Sequence, residues 1–188
     1  MRQIMTREDS EKKENRSKLI IGIIIIGLMV FSTAGYAFFQ NERTTSSQDK
    51  VNYKGLSFIK QSDEKWHVTI QNYEFITEYN LKDTENISGI LSLNLLNYQN
   101  KPLYFSYDSD KQGVSEIVGN IGRFASRIGY VCLDNCTEDF AMKNCSSDNV
   151  IIIKYANESL IKQESNCVYI LGENLRTSDA FIFRVLGI

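Results

Sequence analysis

The segment Asn149–Leu171, NVIIIKYANESLIKQESNCVYIL, holds two runs of strand-forming residues on either side of a polar stretch. Valine, isoleucine and tyrosine recur in both runs, and such side chains suit a pleated, half-buried surface. The runs Asn149–Tyr155 and Leu160–Leu171 predict a hairpin about the Ala156–Ser159 turn, and with it an antiparallel sheet. That hairpin would carry Cys167 back towards residue 148 and make Cys145 its partner.

All four cysteines of the chain, Cys132, Cys136, Cys145 and Cys167, lie in this region and just before it. An even count confined to a short stretch suits a stapled subregion outside the cytoplasm, so two structural disulfides are expected. Pairing Cys145 with Cys167 leaves Cys132 with Cys136, although four cysteines allow three connectivities. The spacing, C-x3-C followed by gaps of eight and twenty-one residues, departs from the C-x2-C knuckles of structural zinc sites, and no metal site is predicted. A thiol-disulfide oxidoreductase using Cys132 and Cys136 is the alternative. These two residues fall at the C-terminal end of a predicted helix, where the dipole disfavours a thiolate.

Working outward, three short runs read as strands: Leu56–Lys60, Trp66–Gln71 and Tyr73–Tyr79. In the second, Trp66, Val68 and Ile70 share one face, while His67, Thr69 and Gln71 share the other. The run Ile90–Leu96 alternates Leu91, Leu93 and Leu95 against Ser92 and Asn94, and Pro102–Tyr107 follows as an aromatic-rich strand. Over Gly113–Leu133 the apolar residues recur at helical spacing, with Asp110 or Ser115 as the expected cap. Gly119, Gly122, Ser126 and Gly129 form a small-residue stripe along that helix, which suggests close packing against a neighbour. A short C-terminal helix runs through Ala180, Phe181, Val185 and Leu186, capped by Thr177 or Ser178 and closed by Gly187. The fold class is therefore α+β, an antiparallel sheet of about seven strands with one long helix and a short C-terminal one.

The other end of the chain carries Leu19–Phe39, LIIGIIIIGLMVFSTAGYAFF, without a charge. At about 1.5 Å per residue it matches a hydrocarbon core of about 30 Å and reads as a transmembrane helix. Six basic residues precede it, so the N-terminus should stay in the cytoplasm. The apolar run is longer than a cleaved signal peptide needs. The expected organisation is a disordered cytoplasmic segment over residues 1–18, the span over 19–39, a polar stalk over 40–52 and an extracytoplasmic α+β domain over 53–188. After the span, fifteen basic and nineteen acidic residues without a basic run argue against nucleic acid as a partner.

Chemistry-bearing patterns are sparse. His67 is the only histidine and falls on a polar face, where exposure is expected. Asp134, Glu138 and Asp139 cluster near the cysteines without the ligand spacing of a calcium loop, and read as a solvated acidic turn. No nucleophile elbow, zinc-protease helix, phosphate loop or dinucleotide fingerprint occurs, and no cofactor is expected. Asn86, Asn135, Asn144 and Asn157 each begin an N-x-S/T acceptor for glycosylation.

CLDNC (Cys132–Cys136), NCVYILGEN (Asn166–Asn174) and SDAFIFRVLGI (Ser178–Ile188) resemble uncharacterised single-span membrane proteins of small archaea. The resemblance covers mainly Gly113–Ile188 and implies an anchored, cysteine-containing external domain. The expected role is binding or envelope structure at the cell membrane, alone or with another envelope or membrane protein.

Overall fold

Two tight turns set the first sheet. Lys54 and Gly55, and likewise Gln71 and Asn72, take positive φ between paired residues, as two-residue type I′ hairpins require. The first joins β1 (Lys50–Tyr53) to β2 (Leu56–Lys60), and the second joins β3 (Trp66–Ile70) to β4 (Tyr73–Thr77). The result is an antiparallel sheet in the order β1-β2-β3-β4. Period-two alternation turns Phe58, Val68 and Phe75 to one face, where they are buried with Leu81 and Phe183.

The computed structural model describes residues 20–26, 28–29, 49–108, 111–134 and 139–188. Residues 20–26 and 28–29 are helical (α1), belong to a unit covering Met1–Ser47, and expose their apolar side chains. Among the described residues no helix is long and apolar enough to cross a membrane; most of the predicted span lies outside them. The second unit covers Gln48–Ile188.

After the first sheet come α2 (Leu81–Thr84), β5 (Ser88–Ile90), α3 (Leu95–Tyr98), β6 (Pro102–Tyr107) and α4 (Gln112–Ile121). A 3-10 turn at Gly122–Phe124 leads to β7 (Arg127–Cys132), β8 (Ala141–Met142), β9 (Val150–Lys154), β10 (Leu160–Glu164), β11 (Cys167–Leu171) and α5 (Asn174–Val185). Strands β5 to β11 form a second, seven-stranded sheet in the order β5-β10-β11-β9-β6-β7-β8.

This sheet corrects the expected antiparallel one. Only β10 and β11 pair antiparallel; β11, β9, β6, β7 and β8 run parallel, and β5 runs parallel to β10. The run Leu160–Leu171 is two strands, not one, because Ser165 takes φ +53° and turns the chain between Glu164 and Cys167. The hairpin therefore lies within that run, and β9 pairs with β11 in parallel, with Val150 beside Cys167. Val150, Ile151, Ile152 and Ile153 are all buried, which is the pattern of a strand covered on both faces.

The expected long helix is likewise shorter. It ends at Ile121, and the residues that continued its apolar spacing belong to β7, joined to β6 through the α4 crossover. Gly122, Ser126 and Gly129 are poor helix formers and lie where the helix stops and the strand begins. Of the run Ile90–Leu96 only Ile90 belongs to a strand, as the last residue of β5. Asn94 accepts from the Leu96 N–H, and the Asn97 side chain accepts from the Asn94 N–H, so this capping box starts α3 instead.

Helices α4 and α5 pack on each other and on one face of the seven-stranded sheet, burying Phe105, Ile117, Ile121, Ile151, Ile153, Val168, Phe181 and Ile182. Full burial of such a side chain contributes about 1.5–3 kcal/mol. On the other side of α5, Phe183 meets Phe58 edge-to-face at 5.7 Å, so the helix is covered by both sheets. The two helices approach closely at Gly113, where a Cβ would stand 2.6 Å from Ser178 Oγ. Gly119, by contrast, has open space beside it, so the predicted stripe is not a single packing surface.

Candidate functional site: a cleft at the start of the two helices

Helix α4 follows β6 and α5 follows β11, so both helices begin at the carboxyl ends of parallel strands. Open α/β sheets place their ligand crevices on that side. A cleft of about 560 Å³ lies there, lined by Lys65, Glu78, Lys111, Gln112, Ser115, Glu116 and Leu175. Helix α4 starts at this cleft with Lys111 as its N-cap; of the two expected caps, Asp110 lies outside the described residues and Ser115 lies within the helix. Lys111 Nζ lies 5.6 Å from the centre of the Tyr107 ring.

The first sheet supplies the opposite wall. Lys65 Nζ stands 3.5 Å from both Glu78 Oε2 and Glu116 Oε2. Partial burial pulls the Lys65 ammonium's pKa down, but Glu116 and Glu78 outweigh it and hold the group above its ordinary value. The cleft thus carries two ammonium and two carboxyl side chains on separate elements.

Behind Glu116 lies Asp179, fully buried on α5. Its Oδ2 accepts from the Tyr79 N–H at 2.8 Å. Burial first, and then the charge of Glu116, pushes the Asp179 carboxyl up to about 8, while its backbone donors pull the other way. Glu116 faces Lys65 with one oxygen, and its other oxygen, like Asp179 Oδ1, is buried without a hydrogen-bond partner among the described residues. One turn along α4, Asn120 hydrogen-bonds the backbone of Ile76.

The sequence carried a signal for these residues. Glu116 and Asn120 interrupt the apolar stripe of α4 at i and i+4, beside Gly113, Ile117 and Ile121, and Asp179 shares its helical face with Leu175, Ile182 and Phe183 in α5. Polar residues inside a buried stripe must find partners there.

Cys145 and Cys167 lie on the opposite face of the large sheet. Cys145 is bonded to Cys167, with Cα atoms 4.9 Å apart, and the Asn166 N–H donates to the Cys145 carbonyl at 3.0 Å. This bond holds the β8–β9 connection over a small core of Tyr104, Val131, Val150, Ile152 and Cys167. Cys132 is buried and disulfide-bonded; Cys136 lies outside the described residues. Cys132 ends strand β7 rather than a helix, so the dipole argument applied to it above does not hold.

His67 corrects another expectation. Its imidazole is only 11% exposed and is held between Glu74 Oε1 at 2.9 Å and Asp63 Oδ2 at 3.1 Å. Asn86, Asn144 and Asn157 are exposed, and Asn135 lies outside the described residues. The Asn144 side-chain oxygen accepts from Ser146 and Ser147, and that of Asn86 from Arg176 at 2.7 Å. Asp134 and Asp139 are exposed and Glu138 lies outside the described residues; among those described, no three histidine, cysteine or acidic side chains form a metal-holding group.

Comparison with protein-family models, with curated proteins and with solved structures returned no match.

Proposed function

We propose that the chain is a membrane-anchored, extracytoplasmic binding domain whose ligand seats in the cleft between the first turns of α4 and α5. One observation carries this reading: an open recess at the carboxyl ends of parallel strands, with Lys65, Lys111, Glu78 and Glu116 converging on it. Mixed charge on separate elements suits a small polar ligand with both positive and negative groups. The uncharged run Leu19–Phe39 and the basic residues before it support the anchor and its orientation. The disulfide between Cys145 and Cys167 suits an oxidising compartment outside the cytoplasm.

The test is NMR of the isotope-labelled full chain in detergent micelles, titrated with mixtures of amino acids, short peptides and phosphorylated sugars. Saturable shifts confined to Lys65, Lys111, Ser115 and Glu116 are expected, and Ser115→Ala with Lys111→Ala should abolish them. Absence of any saturable shift across these classes sinks the binding reading and leaves envelope structure. Protease protection of residues 49–188 in intact cells, against cleavage in lysed ones, would overturn the external placement.

A thiol-disulfide oxidoreductase built on Cys132 and Cys136 is the competing proposal. A nucleophilic thiol has to be reachable, and Cys132 is 1% exposed. Reduction of this pair by mild thiol reagents without loss of fold would move that reading ahead.

A further inference from the structure

Four elements meet at Glu116 and Asp179. Glu116 stands on α4, and its Oε2 faces Lys65, just ahead of β3, at 3.5 Å. Asp179 stands on α5, and its Oδ2 takes the N–H of Tyr79, just after β4. The remaining oxygens, Glu116 Oε1 and Asp179 Oδ1, are buried and have no hydrogen-bond partner among the described residues. Two acceptors cannot satisfy each other without a proton, and an unsatisfied buried charge costs far more than the proton. Among the described residues, Glu78, 3.5 Å from Lys65, and Lys111 are the other charged groups that line the cleft with Glu116; the sheet face below α4 and α5 is apolar, built from Ile151, Ile153, Val168 and Ile170.

We infer that Glu116 and Asp179 share one proton and form a latch that fastens the four-stranded sheet to helices α4 and α5, and that opens when the proton is lost. With the proton in place, Asp179 Oδ1–H donates to Glu116 Oε1, and the chain Lys65–Glu116–Asp179–Tyr79 ties the open end of the β3–β4 hairpin, opposite the Gln71–Asn72 turn, to the helices. When it leaves, two buried carboxylates face each other, and the junction loosens along Lys65 and Tyr79. The inference stands whether or not the cleft takes a ligand.

The sign follows from linkage. The Asp179 value is raised from 3.8 to about 8, so the folded chain holds a proton that the unfolded chain has released. The latch is fully effective below about pH 4 and is lost as pH rises to about 8, by up to about tenfold in the folding equilibrium per pH unit.

The experiment uses the full chain in detergent micelles, in wild-type, Asp179→Asn and Glu116→Gln forms. Folding stability and the exchange protection of the Tyr79 amide are measured from pH 5 to 9, with exchange corrected for its intrinsic pH dependence. Wild type should lose stability and Tyr79 protection together. Asp179→Asn should flatten the Tyr79 profile and leave in the stability profile only the smaller fall that His67 contributes, because the amide N–H donates to Glu116 at every pH and the amide oxygen still accepts from Tyr79. If that variant does not fold, Glu116→Gln supplies the donor from the other side and should change both profiles in the same way. Infrared spectra at pH 6 should show a protonated carboxyl in wild type that Asp179→Asn removes. Parallel profiles in wild type and variant, or no protonated carboxyl at pH 6, would overturn the latch.

Discussion

Asn120 serves β4 as a further strand would: its Oδ1 accepts from the Ile76 N–H at 2.8 Å, and its Nδ2 donates to the Ile76 carbonyl at 2.7 Å. β4 is an edge strand, and one amide side chain closes both open backbone groups of that residue. Asn120→Ala leaves the pair unsatisfied in a largely buried seam and should cost about 2–4 kcal/mol. Asn120→Asp keeps the acceptor but loses the donor. It should also destabilise in urea unfolding, with new exchange at the Ile76 amide.

Two glycines of one helix should respond oppositely. A Cβ on Gly113 would lie 2.6 Å from Ser178 Oγ and 3.2 Å from the Asn174 carbonyl, so Gly113→Ala should destabilise by about 1–3 kcal/mol. Gly119 meets nothing within 4 Å and is solvent-exposed, so Gly119→Ala should stabilise by about 0.5–1 kcal/mol. Thermal unfolding of both variants reads the contrast; equal shifts would refute the packing account.

His67 gives a pH dependence of its own. Burial pulls its pKa down, yet hydrogen bonds and charges from Glu74 and Asp63 raise it above the ordinary 6.5. Protonated His67 therefore adds stability that is complete below about pH 6.5 and fades as pH rises through the raised value. As the only histidine, it yields one imidazole resonance to titrate. Both carboxylates are about half exposed, so added salt should lower the measured pKa.

Replacing both Cys145 and Cys167 by alanine removes a cross-link between residues 22 apart in sequence. A loop of that length contributes about 3 kcal/mol by limiting the unfolded chain. Guanidinium unfolding should show that loss, with exchange rising first over the β8–β9 connection. An unchanged midpoint would mean that the small core beneath the bond holds the connection without it.

Local signals in the chain were strong where a side chain's surroundings repeat with the backbone. Alternation around Val68 and Phe75 located β3 and β4, and the aromatic run from Pro102 located β6, since one buried face imposes period two. Apolar residues around Phe181 marked the C-terminal helix, though α5 begins at Asn174 and holds Thr177 and Ser178 inside it rather than at its cap. Alternation misled at Ile90–Leu96, where the Asn94 side chain competed for the backbone and started a helix.

The sequence by itself determined which segments carry apolar faces, because these depend on a few neighbouring residues. Only the tertiary structure decided the partner of each strand. β11 lies beside β9 in parallel because β10 turns back at Ser165, and no local pattern in Val150–Ile153 distinguishes a parallel neighbour from an antiparallel one. The same holds for the candidate site: Lys65, Glu116 and Asp179 are more than fifty positions apart in the chain, and only the packing of α4 and α5 against the first sheet brings their charges together.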